Sequence, residues 1–175
     1  MSLLEKTINQ IGDLDKESME KTQERLNYLL KPPGSLGVLE DIALQLSGIY
    51  GDPMPAIGPK TIIVMGGDHG VMEEGYSPFP PSLTAAMIPH YPGGGSGVAV
   101  LARHAGASIV TVDIGVATPV DHPGVLNRKV KPGTDNMAKG PAMSREEAIK
   151  ALEVGIEIAT AEIEKGAKVL GTGEL

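Results

Sequence analysis

Charged and polar residues dominate the first long periodic segment of the chain, and its apolar positions come late. The stretch from about Asp13 to Leu30, "DLDKESMEKTQERLNYLL", is rich in helix-forming charged residues and predicts an exposed amphipathic helix. Pro32 and Pro33 end this helix, because the residue before a proline is pushed out of the α region. Apolar residues then recur at three- and four-residue spacing over Val38–Tyr50, which predicts a second helix. The two helices and the stiff "KPPGSLG" segment between them predict a helical corner.

A different pattern begins after the loop "GDPMPAIGP", where short runs rich in β-branched residues end in glycine. The runs "KTIIVMGGDHG" and "ASIVTVDIG" (residues 107–115) are typical of a strand buried on both faces, and "AKVLGTGEL" gives a weaker signal of the same kind. They are separated by a predicted helix from about Ser96 to His104, and by another over residues 144–166 that opens with a capping box of Ser144 and Glu147. Strand, helix, strand, helix, strand predicts an α/β fold with a three-layer, Rossmann-like parallel sheet.

The composition excludes several classes of protein. The chain has 175 residues, which suits one domain of ordinary size, and its 15 basic and 22 acidic residues give a net charge of -7. Because this charge repels a phosphate backbone, we expect no nucleic-acid partner. The chain has no cysteine, no apolar leader and no segment typical of a membrane span, so we expect a cytoplasmic protein with no membrane partner and no thiolate metal site.

Polar side chains follow each predicted strand. In an open parallel sheet, ligands bind at the carboxyl ends of the strands, so Asp68, His69, Asp113 and Glu174 are predicted to share one rim. Each also has a plainer interpretation. Asp68 is equally typical of a cap that accepts backbone N–H groups, His69 of a loop histidine bonded to a carbonyl, and Glu174 of a solvated carboxylate.

Seven segments, taken in order, carry a resemblance to a known family. They are "KPPGSLGVLE", "DHGV", "GYSPFPPSLTAAM", the glycine run leading into "VLARHAGA", "VDIGV", "GTDNMAKGPAMSREEA" and "GTGEL". Together they resemble the nicotinate-nucleotide:dimethylbenzimidazole phosphoribosyltransferases, which make the lower nucleotide loop of cobamides. The segments span nearly the whole chain in the order that the family has them.

The resemblance implies a fold of two parts and a homodimer. Residues 1–50 would supply N-terminal helices of a small helical domain, and residues 51–175 the first half of the parallel-sheet domain, without the C-terminal half of the family fold. Members of the family are commonly about twice as long as this chain. We therefore expect an N-terminal fragment or a truncated gene product that lacks full activity alone.

The resemblance also implies a reaction that needs no metal and no cofactor. The family transfers 5-phosphoribose from nicotinate mononucleotide to a ring nitrogen of an aromatic base, and the small-molecule substrates are these two compounds. An apolar slot would orient the base while a carboxylate takes its N–H proton. The carboxylate usually assigned as the base lies beyond this chain, and within it Glu174 is assigned to catalysis. The substrate-binding residues implied are Asp68, His69, Gly70, Ser77, Ala86, Met87, Asp113 and Gly173.

One departure from the family pattern bears on the acceptor. Ala86 stands where glutamine is usual, which removes a hydrogen-bonding side chain and widens the slot. The acceptor is therefore open among dimethylbenzimidazole, another benzimidazole, a purine and a phenolic compound.

Two other functions are compatible with the sequence. A half-domain that binds nucleotide or pairs with another subunit without catalysis fits a shortened chain. The "GGDHG" segment also resembles the "GGDH" of metal-dependent ureohydrolases, but those enzymes need a "D-x-H-x-D" cluster, and the second strand here offers only Asp113.

Overall fold

The computed structural model describes residues 1–175, which form six α-helices, four strands and two 3₁₀ turns. The helices are α1 (Leu3–Asn9), α2 (Lys16–Tyr28), α3 (Val38–Tyr50), α4 (Ser82–Met87), α5 (Gly97–Ala105) and α6 (Arg145–Glu164). The strands are β1 (Lys60–Gly67), β2 (Ala107–Gly115), β3 (Val125–Asn127) and β4 (Val169–Glu174), and the 3₁₀ turns are Gly70–Glu74 and Ile88–His90. Two compact units result, a helical unit of Ile8–Ile57 and an α/β unit of Met1–Thr7 with Gly58–Leu175. The domain division at residue 50 remains a prediction.

The α/β unit is organised around a four-stranded sheet in the order β3-β2-β1-β4. Every neighbouring pair is parallel, and Lys60 of β1 stands opposite Ala107 of β2 and Val169 of β4. The α/β fold class predicted from the alternating pattern is therefore confirmed. With β1 at the centre, the carboxyl ends of β1, β2 and β4 meet at one edge of the sheet.

Helices cover both faces of this sheet. On one face Val154 and Ile158 of α6 pack against Ile63 and Val112, and these four side chains are the buried centre of the core. On the other face the fully buried Ile88 approaches β1 so closely that a Cβ at Gly66 would lie 2.6 Å from its Cδ1 atom. The α5 side chains Val98, Leu101 and Ala102 border this same face beside Ile62. The result is three layers, helix on sheet on helix.

The start of α6 is held by a reciprocal pair of hydrogen bonds. The Ser144 hydroxyl accepts from the Glu147 N–H at 3.1 Å, and the Glu147 carboxylate accepts from the Ser144 N–H at 2.8 Å. This is the capping box predicted from the sequence, and such a cap contributes about 1 kcal/mol. Neither α6 nor any shorter helix combines the length and the apolar character that crossing a bilayer requires.

The helical unit is built on the antiparallel neighbours α2 and α3. Asp15 caps α2 by accepting from the Ser18 N–H at 2.7 Å, while its own N–H donates to the Gly48 carbonyl of α3 at 2.9 Å. A Cβ at Gly48 would lie only 2.8 Å from the Met19 sulfur. Glycine at this position therefore lets the two helices come into close contact.

The proline-glycine corner between α2 and α3 is closed by an ion pair. The Lys31 ammonium lies 2.8 Å from the Glu40 carboxylate, which also accepts from the Leu36 N–H at 3.1 Å. Gly34 and Gly37 have positive φ angles of 71° and 56°, a conformation that other residues rarely adopt. Both side chains of the pair are mostly buried, so the corner is a folded element with its own internal contacts.

Truncation of the α6 core residue should be costly. Ile158 is 6% exposed, so Ile158→Ala is expected to lower the free energy of unfolding by about 2–5 kcal/mol, since it leaves a cavity against the sheet. Ile163 of the same helix is 56% exposed, and Ile163→Ala should change it by about 0.5 kcal/mol or less. Urea unfolding of both variants checks this, and equal losses would contradict the assignment of the core.

The contribution of Glu40 should depend on pH. Hydrogen bonds from Lys31 and then from the Leu36 N–H lower the pKa of the Glu40 carboxyl below its ordinary value of 4.5. A lowered folded-state pKa stabilises the fold above pH 4.5, and this contribution is lost as the pH falls through the folded-state value. Glu40→Gln should therefore be destabilising at neutral pH and nearly neutral in acid. Urea unfolding at both pH values measures this, with Glu17→Gln in the exposed Glu17–Lys21 pair as the control.

Candidate active site

A cavity of about 550 Å³ opens at the carboxyl ends of β1 and β4. Its walls come from three segments, namely the end of β1 with the following 3₁₀ turn, the loop leading into α4 with that helix, and the end of β4. The lining residues are Gly67, Asp68, His69, Met72, Ser77, Phe79, Pro80, Pro81, Leu83, Thr84, Met87, Glu174 and Leu175. This is the edge of the sheet at which the sequence predicted a ligand site.

Asp68 joins the segments behind this cavity. Its N–H donates to the Gly115 carbonyl at 3.0 Å and its carbonyl accepts from the Thr134 N–H at 2.9 Å. Its carboxylate accepts from the Ala117 N–H at 2.7 Å, and the residue is only 8% exposed. Asp68 therefore lines the cavity, while its carboxylate binds a backbone N–H of the loop that follows β2.

Glu174 brings a second carboxylate to the cavity. Its position on β4 is set by the register with β1, in which it stands opposite Met65. Two backbone bonds extend this pairing beyond it, from the Leu175 N–H to Met65 at 3.1 Å and from the Gly67 N–H to Leu175 at 3.0 Å. Glu174 is solvent-exposed and is one of the lining residues.

Apart from these carboxylates and His69, the lining is apolar or weakly polar. No lysine or arginine is among the lining residues. Phosphate groups bind to Lys and Arg side chains or to backbone N–H groups, whereas flat apolar rings pack on methionine, proline and phenylalanine side chains. The composition of the walls is thus suited to a neutral aromatic ring with an N–H group.

Asp113 lies at the same edge of the sheet but does not line the cavity. Its carboxylate is fully buried, accepts from the Val116 N–H at 2.9 Å and lies 3.2 Å from the Lys129 ammonium. The oxygen nearest Lys129 receives no well-aligned hydrogen bond. This carboxylate therefore shapes the turn after β2, the turn whose Ala117 N–H binds Asp68.

The other predicted site residues divide into two groups. His69, Ser77 and Met87 line the cavity together with Asp68 and Glu174, and the Ser77 hydroxyl also accepts from the Phe79 N–H at 3.2 Å. Gly70, Ala86 and Gly173 are not among the lining residues. Ala86 is exposed on α4, and Gly173 lies on β4 opposite Val64. A substrate-binding role for all of these residues remains a prediction.

Two groups of residues were not predicted individually. Phe79, Leu83 and Thr84 line the cavity, and the only signal for them was the "YSPFPPSLT" segment, which holds the one phenylalanine of the chain. The loop after β3 also reaches the site: the Thr134 hydroxyl accepts from the Gly70 N–H at 3.2 Å.

No group of three or more His, Asp or Glu side chains is arranged to hold a metal ion. A cavity of about 280 Å³ within the helical unit is lined mostly by apolar residues, with Arg25 as its single charged side chain and no carboxylate or histidine.

Comparison with known proteins now identifies the family. Residues 11–175 match the model of a family described as phosphoribosyltransferase. The chain belongs to this phosphoribosyltransferase family. The resemblance found in the sequence is confirmed, and the family match favours a transferase over a ureohydrolase.

Relatives within the family are close. The chain is 53% identical over 176 residues to the nicotinate-nucleotide–dimethylbenzimidazole phosphoribosyltransferase of Alkaliphilus metalliredigens, an alignment that covers all of this chain and 50% of the relative. The enzyme of the same name from Clostridioides difficile is 49% identical over 175 residues, again 50% of its length. A crystal structure of the enzyme of this name from Thermus thermophilus superposes with a TM-score of 0.89 at 40% identity, covering 93% of this chain and 49% of that one. The chain thus spans about half the length of the curated relatives it matches.

The glycine at the start of the pocket turn should be intolerant of substitution. A Cβ at Gly70 would lie 2.5 Å from the Asp135 carbonyl carbon and 2.6 Å from the Asn136 nitrogen, both backbone atoms that cannot rotate away. Gly70→Ala should therefore destabilise the fold by about 1–3 kcal/mol. Gly97→Ala, which has open space at the start of α5, should be neutral or slightly stabilising. Equal unfolding free energies for the two variants in urea would contradict the contact.

Proposed function

We propose that this chain supplies the acceptor pocket of an enzyme that transfers 5-phosphoribose from nicotinate mononucleotide to a benzimidazole-type base, giving an α-ribotide. The observation that carries the proposal is the cavity at the ends of β1 and β4, which combines apolar walls with carboxylates and has no lysine or arginine in its lining. Membership of the phosphoribosyltransferase family and the names of its relatives support it.

Departure of nicotinate needs little stabilisation by the protein, because its ring nitrogen is already cationic in the donor. A ring nitrogen of the base attacks the anomeric carbon of the ribose phosphate, and the bond from that carbon to the nicotinate nitrogen breaks. The bonding electron pair returns to the pyridinium nitrogen, so this nitrogen departs neutral. A carboxylate must accept the N–H proton from the other ring nitrogen of the base as the new bond forms.

The lining of the cavity suits the base better than the donor. Met72, Phe79 and Met87 offer surfaces on which a fused ring packs, and Glu174 lines the cavity as a proton acceptor. We propose that Glu174 acts in this proton transfer together with the carboxylate usually assigned as the base in the family, which lies outside this chain, and that Asp68, His69 and Ser77 bound the base. The cavity offers no lysine or arginine to the phosphate of the donor.

A non-catalytic function is the alternative to this proposal. The chain would then be a non-catalytic half-domain that binds nucleotide or pairs with another subunit. The absence of lysine and arginine from the lining argues against a nucleotide phosphate in this cavity. Turnover decides between the two functions.

The decisive experiment measures product. The purified chain, and a hybrid that joins it to the half of the Alkaliphilus metalliredigens relative that it does not match, are incubated with nicotinate mononucleotide and dimethylbenzimidazole. Mass spectrometry detects the α-ribotide, with the whole relative assayed in parallel. Product from either supports the proposal. A folded hybrid that makes none, while the relative is active, contradicts it.

Glu174→Gln should impair turnover without loss of stability. The change removes a proton acceptor but keeps the size of the side chain, and general-base catalysis is worth about 10²–10⁴-fold in rate. Glu164→Gln, at the exposed end of α6, is the matched control and should leave the rate unchanged. Rates are measured in the hybrid, and an unaltered rate for Glu174→Gln would remove Glu174 from the catalytic role.

A homodimer and a cytoplasmic location stay predictions of the sequence. Sedimentation of the purified chain and of the hybrid measures the first. The identity of the acceptor base is left to a panel of benzimidazoles, purines and phenolic compounds in the same assay.

A further inference from the structure

The loop between β3 and α6 lies directly against the turn that forms one wall of the cavity. The Asp68 carbonyl accepts from the Thr134 N–H at 2.9 Å, and the Gly70 N–H donates to the Thr134 hydroxyl at 3.2 Å. The backbone of Asp135 and Asn136 comes so close to Gly70 that no side chain fits between them. Two segments far apart in the sequence are therefore packed as one piece behind the cavity.

Asn136 is the centre of this contact. The residue is 8% exposed, and its amide nitrogen donates to the Glu74 carboxylate at 2.7 Å and to the Glu73 carboxylate at 3.3 Å. Its amide oxygen accepts from the Ala138 N–H at 3.0 Å. Asparagine supplies a donor and an acceptor at the same point, whereas a carboxylate here would face two others and could donate to neither.

An ion pair with Lys139 also holds Glu73, but it contributes less to stability than the amide of Asn136 does. The Lys139 ammonium lies 2.6 Å from the Glu73 carboxylate, and the hydrogen bonds from Lys139 and then from Asn136 lower the pKa of Glu73. Both side chains of this ion pair are more than half exposed, and exposed pairs contribute little to stability. The buried amide of Asn136 is therefore the stronger anchor.

The turn has no comparable anchor of its own. None of the residues in the 3₁₀ turn Gly70–Glu74 is buried, so its position depends on what holds it from outside. Met72 lies within this turn and His69 precedes it, and both line the cavity. A shift of the turn would change the width of the slot without moving the carboxylate on β4.

We propose that Asn136 is a positioning residue for the acceptor base, acting through Glu73 and Glu74 to hold the His69–Met72 wall in place. The inference rests on the proposed function, because the ligand that it concerns is the aromatic base. Asn136 does not line the cavity, and its effect falls on affinity for the base and leaves the chemical step unchanged.

A swap of donor and acceptor tests the proposal. Asn136→Asp removes the donor, and combining it with Glu74→Gln restores a hydrogen bond of reversed direction between the two positions. Asn27→Asp is the control, since Asn27 accepts a hydrogen bond from Gln23 on the exposed surface of α2. Binding of dimethylbenzimidazole to the 175-residue chain is followed by titration, and hydrogen exchange of the Gly70–Gly75 amides is followed without ligand.

We expect Asn136→Asp to weaken binding about tenfold or more, because a buried hydrogen bond is replaced by charge repulsion. The double variant should recover most of the affinity, and the exchange of the Gly70–Gly75 amides should rise and fall in parallel. In the hybrid, KM for the base should rise while kcat holds. Asn27→Asp should change none of these values.

The remaining outcomes are decided as follows. Unchanged affinity in Asn136→Asp, or no recovery in the double variant, overturns the positioning role. If Asn136→Asp does not fold, the double variant decides: restored folding and binding support the swap, and failure of both reduces Asn136 to a folding residue. If the unmodified chain and the hybrid both bind no base, the proposed function fails and the role in binding fails with it. The exchange data still report whether Asn136 orders the turn.

Discussion

The site depends on the three backbone segments that meet at Asp68. Its N–H, carbonyl and carboxylate bind Gly115, Thr134 and Ala117, so one residue joins the end of β1 to the turn after β2 and to the loop before α6. Buried polar groups are costly unless each is hydrogen-bonded. Each polar group of Asp68 has a hydrogen-bond partner, so the three segments are held together behind the cavity. The apolar walls of the cavity extend from these segments.

This arrangement separates structural carboxylates from exposed ones. Asp68 and Asp113 are buried and bind backbone N–H groups, whereas Glu174 is solvent-exposed and lines the cavity. The sequence pattern treats all three alike, as acids that follow parallel strands. What distinguishes them is the number of neighbouring N–H donors, which only the folded chain brings together.

The main elements could be predicted because their patterns are local. The bounds of α3 and β2 agree with those expected from apolar periodicity, and the capping box of α6 is a four-residue signal. In contrast, β3 was not predicted, because it has only three residues and little burial. The helix α4 was not predicted either, because prolines lie on both sides of its six residues. Asn136 was also missed, because its partners Glu73 and Glu74 lie in a distant part of the chain and no spacing rule connects them.

The order of strands in the sheet has a consequence for how the chain folds. Lys60 pairs with Ala107 on one side and with Val169 on the other, so the central strand is completed only by residues made much later. The chain loses conformational entropy in closing these long loops before the strand pairings stabilise it, and this slows folding. During synthesis on the ribosome, one edge of β1 stays open until Val169 emerges, and for that interval this central strand can mispair with another molecule.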